Sequence, residues 1–189
     1  MKRRFSYPLV YCISEGDITA ANYHQKKKLI TDRVRRAAGR GVDLYQIREK
    51  DLSGRLLFDL ASAAVEAARG SETRILINGR ADIALAARAD GVHLPANGVP
   101  VRELRGCVPE DFLIGASTHS IAEAEAAFRE VLARDPSSGD AHHNLALVLT
   151  ITDRLEEAER EITATEKAGV PVHPRLKQEF DRRKALKPR

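Results

Sequence analysis

The sequence predicts an α/β fold. About five parallel strands alternate with helices over residues 1–120, and an all-α segment of helical hairpins occupies residues 121–189. Three observations carry this. Short apolar runs alternate with amphipathic helical periods as far as Ala116, which is the pattern of parallel strands joined by right-handed crossovers. After Ser120 no strand signal returns and four helical periods follow. The chain has 189 residues, against about 250 for a typical (β/α)8 barrel, so a complete barrel is not expected.

Pro8–Ser14 is a short apolar run ending in a polar loop, as a buried strand should be. Ala20–Arg40 reads as a helix with a basic face, with Leu29, Ile30, Val34, Ala37 and Ala38 turned inward and Gly39 and Gly41 ending it. Val42–Glu49 is the second strand. Ser53 can cap the next helix, whose Leu56, Leu57, Leu60, Ala61, Ala64, Val65 and Ala68 recur at helical spacing before Gly70. Arg74–Asn78 is the third strand, residues 81–89 a short helix, Gly91–Leu94 the fourth strand, Val101–Arg105 a helical turn, and Phe112–Ala116 the fifth strand. Helices are then expected over 122–134, 141–152, 154–168 and 175–186.

The net charge of +4 lies at one end: residues 175–189 hold seven Lys/Arg against Glu179 and Asp181. Cations suit a helix C-terminus. No aromatics interleave with them, so a nucleic-acid or membrane-binding arm is the weaker expectation. Cys12 and Cys107 form no metal-type spacing, and two thiols make no disulfide framework, so a reducing cytoplasm is the default. The basic start, Met1-Lys2-Arg3-Arg4, precedes too short an apolar stretch for a signal peptide. No apolar run approaches the roughly 18 residues of a membrane helix.

In the helical segment, Ala124 and Phe128 lie 34 positions before Ala158 and Ile162, and Asn144-Leu145-Ala146 followed by Leu149 sits between. Leu145, Ala146, Leu149, Ala158 and Ile162 resemble the tetratricopeptide repeat. His142 and Asp153 depart from it. About one and a half repeats fit, short of the three or so of a free-standing array, so the segment is expected to lean on the sheet or on another chain. The resemblance implies a protein partner for these helices. His142 and His143 are read as helix surface or hairpin packing.

Four segments fall at the C-terminal ends of the expected strands: Gln46-Ile47-Arg48-Glu49-Lys50, Ile77-Asn78-Gly79-Arg80-Ala81-Asp82, Gly91-Val92-His93-Leu94-Pro95, and Gly115-Ala116-Ser117-Thr118-His119-Ser120. In this order and spacing they resemble the thiamin phosphate synthase/TenI family over about residues 8–127. The resemblance implies a (β/α) barrel, here partial. Synthase members join an aminopyrimidine pyrophosphate to a thiazole phosphate, and TenI-type members isomerise a thiazole carboxylate phosphate.

Gln46, Arg48 and Lys50 alternate, which on a strand places all three on one face. The resemblance assigns them to the pyrimidine and its pyrophosphate. The chemistry agrees, since Arg and Lys neutralise phosphate and Gln reads a heterocycle edge. The other reading is an ion pair with Glu49 or a solvated strand end.

Asn78 matches the Asn of the synthase Asn-Asp-Asp motif, whose two Asp positions are Gly79 and Arg80 here; a further synthase carboxylate falls near Gly98. Mg²⁺ is held through carboxylates and substrate phosphates, so the sequence offers no metal site and any Mg²⁺ would come through substrate phosphates alone. Arg80 can neutralise phosphate in its place, or can start a helix paired with Asp82. His119 lies where TenI-type proteins carry their catalytic His, a group suited to taking and returning a proton. It can equally be a helix-start residue with Ser117 or Ser120 as the N-cap. Ser117 joins the substrate-binding set, and His93 reads as a packed strand residue.

The family's thiazole-phosphate loops, which follow strands six to eight, have no counterpart in the helical segment. The expectation is therefore a thiamin-biosynthesis-related protein with a degenerate or incomplete site. It would bind a phosphorylated thiazole or pyrimidine, or else serve as a scaffold through its helices. The open sheet also invites pairing with a second copy.

Overall fold

The computed structural model describes residues 9–186. In chain order the elements are β1 (Tyr11–Ile13), α1 (Tyr23–Gly39), β2 (Leu44–Ile47), α2 (Gly54–Ala67), β3 (Arg74–Asn78), α3 (Ala81–Ala86), β4 (Gly91–Leu94), α4 (Val101–Arg105), β5 (Leu113–Ala116), α5 (Ile121–Arg134), α6 (Gly139–Ile151), α7 (Leu155–Lys167) and α8 (Pro174–Leu186). The chain divides into two compact units, Met1–Ser117 and Thr118–Arg189.

In the first unit the strands form one sheet in the order β1-β2-β3-β4-β5, with every neighbouring pair parallel. Sequential order with right-handed crossovers puts the connecting helices on the same side of the sheet. The packing agrees. Tyr45, Ile47, Ile75, Ile77, Val92 and Leu94 alternate onto one face and share a core with Ile30 and Val34 of α1, Leu57, Leu60 and Ala64 of α2, and Ile83 of α3. The other face takes Tyr11, Gln46, Leu76, Asn78 and His93, as a period of two requires.

That second face is strongly curled. Tyr11 on β1 and His93 on β4 are three strand spacings apart, about 14 Å in a flat sheet, yet their ring centroids lie 6.4 Å apart. The sheet bends toward barrel curvature and draws its own polar side chains together.

Several boundaries move from the expected ones for local reasons. The first strand begins at Tyr11, and the expected start at Pro8 lies outside the described residues. Helix α1 starts at Tyr23 because residues 17–22 form a turn: Asn22 Oδ1 accepts from Thr19 N–H at 2.8 Å and its amide donates to Asp17 O at 3.0 Å. Strand β2 stops at Ile47 because the next residues hold the loop after β1 instead of pairing with β3. Ser53 caps α2 as expected, accepting from Leu56 N–H at 3.4 Å.

In the second unit Leu145, Ala146, Leu149, Leu155, Ala158, Ile162, Leu176 and Phe180 form one core, with Phe128 and Leu132 of α5 packed against it. Helices α6 and α7 meet across a tight link in which Asp153 takes φ +59°, a left-handed conformation that short polar side chains tolerate best after glycine. His142 ties the hairpin, its ring nitrogens lying 2.6 Å from Glu161 Oε2 and 3.0 Å from Pro136 O. In α8, Arg182 and Arg183 pair with Glu179, Arg183 also with Asp153, and Lys184 with Glu159, so much of the basic end is engaged locally. Lys187 and Arg189 lie outside the described residues. Among the described residues no helix is long and apolar enough to cross a membrane.

His143 is buried in α6, and that burial, followed by the nearby His173, depresses its imidazole pKa. The unfolded chain therefore binds its proton more readily. Its contribution to stability is full above about pH 6.5 and is lost as the pH falls below that value. The expected result is a lower Tm at pH 5.5 than at pH 7.5, with a smaller difference in His143→Gln, read by circular dichroism at helical wavelengths.

Candidate active site

Gln46 is the centre of the open face. It is 2% exposed although polar, so its amide must be satisfied from within. Its Oε1 accepts from the Tyr11 hydroxyl at 2.8 Å and its Nε2 donates to Asn78 Oδ1 at 2.8 Å. On the other side His93 Nδ1 lies 3.4 Å from the same Tyr11 hydroxyl, and His93 Nε2 lies 3.0 Å from Ser117 Oγ. Side chains from all five strand segments therefore meet in one polar chain.

Gly115 makes room for it. A Cβ there would come within 2.9 Å of His93 Nδ1, closer than real contacts allow. Gly115→Ala is expected to push the imidazole aside and destabilise the first unit by about 1–3 kcal/mol, measured as a lowered urea midpoint.

Arg48 and Lys50 follow β2 at the mouth of this face. The expectation that all three residues ride one strand is corrected: β2 holds only Gln46, and Arg48 and Lys50 belong to the turn beyond it. The Arg48 backbone N–H donates to Ser14 Oγ at 2.8 Å. Glu49 does not pair with Arg48. Buried at 4% exposure, it accepts from Gly16 N–H at 3.2 Å and Ile18 N–H at 3.0 Å, closing the loop after β1. Among the described residues no carboxylate pairs with Arg48 or Lys50.

Arg80 is exposed and forms a two-pronged bond with Asp82, at 2.9 and 2.6 Å. The pair raises the Arg80 pKa and holds the Asp82 carboxyl below its ordinary range. Gly79 before it takes φ +68°, a turn that turns the chain out of β3 and suits glycine. His119 belongs to the second unit and is exposed. Its backbone N–H donates to Glu123 Oε2 at 2.9 Å, while Ser120 Oγ accepts from Glu123 N–H at 3.1 Å, so this stretch starts α5 with Ser120 as the cap.

The sequence does not single out Tyr11, and it gives His93 as a packed strand residue. The signal available was alternation: Tyr11 and His93 share the parity of the face that carries Gln46 and Asn78. Alternation does not disclose the curl that joins β1 to β4.

The donor set does not fit a protein-held divalent cation. Asn78 offers one neutral amide oxygen, Gly79 has no side chain, and Arg80 is a cation. Among the described residues no three His, Cys, Asp or Glu side chains gather. Hard cations need several oxygen ligands, which these positions do not supply.

Comparison with known proteins decides the family. Residues 16–133 match the thiamine monophosphate synthase (TMP-TENI) family. The chain belongs to that family. It is 48% identical over 121 residues to the thiamine-phosphate synthase of Methanoculleus marisnigri, covering 64% of this chain and 54% of that protein. With the thiamine-phosphate synthase of Acidothermus cellulolyticus it shares 43% identity over 89 residues, covering 47% and 42%. Among solved structures it resembles a thiamine phosphate pyrophosphorylase from Pyrococcus furiosus, with a TM-score of 0.54 and 26% identity over 65% of this chain and 55% of that one. The chain spans about half the length of the curated relatives it matches. The synthase-family match runs through most of α5, yet α5 packs by Phe128 and Leu132 into the helical core. One helix thus belongs to the family by sequence and to the second unit by packing.

Proposed function

We propose that the first unit is a ligand site of the thiamin phosphate synthase/TenI type that binds a phosphorylated heterocycle of thiamin assembly, the aminopyrimidine pyrophosphate ahead of the thiazole phosphate. One observation carries this reading. The amide of buried Gln46 is bonded to that of Asn78, and Arg48 and Lys50, two cations with no carboxylate partner among the described residues, follow β2. The amides suit a heterocycle edge and the cations suit phosphate. Ser117 and Arg80 complete the set, with Arg80 exchanging Asp82 for a phosphate oxygen.

His119 is the acid–base candidate of this reading. Because the residues at 79 and 80 supply no metal-binding carboxylate, we infer binding without synthase turnover by this chain alone. A thiazole tautomerase turnover that collapses in His119→Ala would contradict that inference. The test of binding is titration of the protein with the pyrimidine pyrophosphate and with the thiazole phosphate. Saturable binding of the former is expected, and no binding of either would overturn the reading.

A second reading is a protein-interaction scaffold through tetratricopeptide-like helices. Its support is the shared core: Phe128 and Ile162, 34 residues apart, pack into one cluster with Leu145, Leu149 and Ala158. In that case the helical unit, not the sheet, carries the contact.

A further inference from the structure

The polar chain on the open face has a property beyond that of a lining: once the Gln46 amide is oriented with Oε1 toward Tyr11 and Nε2 toward Asn78, the remaining hydrogens can be placed by counting. Gln46 Oε1 can only accept, so the single hydroxyl hydrogen of Tyr11 is committed to it at 2.8 Å. Toward His93, Tyr11 can then only accept, and the donor in that contact must be His93 Nδ1–H. A neutral imidazole carries one N–H. Nε2 is therefore bare and accepts from the Ser117 hydroxyl at 3.0 Å. At the far end Gln46 Nε2–H donates to Asn78 Oδ1, which leaves the Asn78 amide nitrogen, with both its hydrogens, as the donor that Asn78 offers to an anionic ligand.

We propose that Tyr11 and His93 are positioning residues, which together with Ser117, Gln46 and Asn78 form a one-way hydrogen-bond relay that sets Asn78 as an N–H donor to an anionic ligand. Donation runs Ser117 to His93 to Tyr11 to Gln46 to Asn78, from the residue after β5 across β4, β1, β2 and β3 in turn. This rests on the reading of the face as a phosphate-ligand site and adds its polarity. A donor at position 78 fits phosphate oxygens and opposes a metal ion, in keeping with Gly79 and Arg80 beside it. Two further observations agree. Burial lowers the His93 pKa, favouring the neutral ring, and pushes the Tyr11 hydroxyl up to about 12, keeping its proton. The bare Gly115 backbone beneath His93 Nδ1 leaves that ring its seat.

The test reads the relay without any ligand. In the full chain labelled with ¹⁵N-histidine, at pH 7.5, the His93 nitrogen shifts should report a protonated Nδ1 and a bare Nε2. Tyr11→Phe removes the acceptor for Nδ1–H and should move the population toward the Nε2–H form. Ser117→Ala should also change the ratio, and Ser117→Thr, which keeps the hydroxyl, should restore it. An Nε2–H tautomer in the wild type, or a ratio unmoved by Tyr11→Phe, would overturn the relay. The second arm uses inorganic pyrophosphate as the probe. Tyr11→Phe should weaken its binding about fivefold, the worth of one ordinary hydrogen bond, and equal affinities would overturn the positioning role. If the wild type has no affinity for pyrophosphate, the phosphate-ligand reading and the ligand end of the relay both fail, while the tautomer measurement still decides the relay.

Discussion

Arg48→Ala is expected to weaken binding of the pyrimidine pyrophosphate by about 10- to 100-fold. A charge-assisted hydrogen bond is worth roughly 1.5–3 kcal/mol, and guanidinium is the side chain best shaped for bidentate contact with phosphate. The neighbouring residues keep this cation available. Glu49, the nearest carboxylate in sequence, is turned away to hold Gly16 and Ile18 N–H, and the Arg48 backbone is anchored through Ser14 Oγ. The loss should therefore be one of contact, with the thermal stability of the first unit little changed. Arg48→Lys should recover only part of the affinity, because a point charge replaces a fork. Isothermal titration of the three proteins checks this.

Leu149→Ala is expected to cost the second unit about 3–4 kcal/mol. Leu149 is 1% exposed and sits at the centre of the cluster formed by Leu145, Ala158, Ile162 and Phe180. Removing its isobutyl group leaves a cavity that the α6–α7 hairpin and the flanking α5 and α8 must collapse around. Urea unfolding followed at helical wavelengths should show a clearly lower midpoint. Ligand titration of the same variant should be unchanged, since Leu149 and Gln46 belong to different units. An unchanged midpoint would mean that the cluster is not the core of that unit.

The strand and helix order was legible because each element carries its own period and punctuation. Ile75, Leu76 and Ile77 announce β3, Ser53 caps α2, and Ser120 caps α5. The motifs single out Gln46 and Asn78, and the structure brings their side chains together. They do not single out Tyr11, because its role depends on the sheet curling until β1 faces β4, which no local period encodes. Alternation puts Arg48 and Lys50 on a strand, but Glu49 ends that strand by binding the loop after β1, a contact between residues 31 and 33 positions apart. Arg80 has two readings from sequence, a phosphate contact or a pair with Asp82, and the structure shows the pair.

The most direct test of the account is a titration of the ¹⁵N-labelled protein with the pyrimidine pyrophosphate, followed by amide resonances in the presence of EDTA. The account predicts saturable shifts at the Gln46 and Asn78 side-chain amides, at Arg48 and at Ser117, with helices α6–α8 unmoved and no need of added metal. Shifts confined to α5–α8, or no shifts at all, would contradict it.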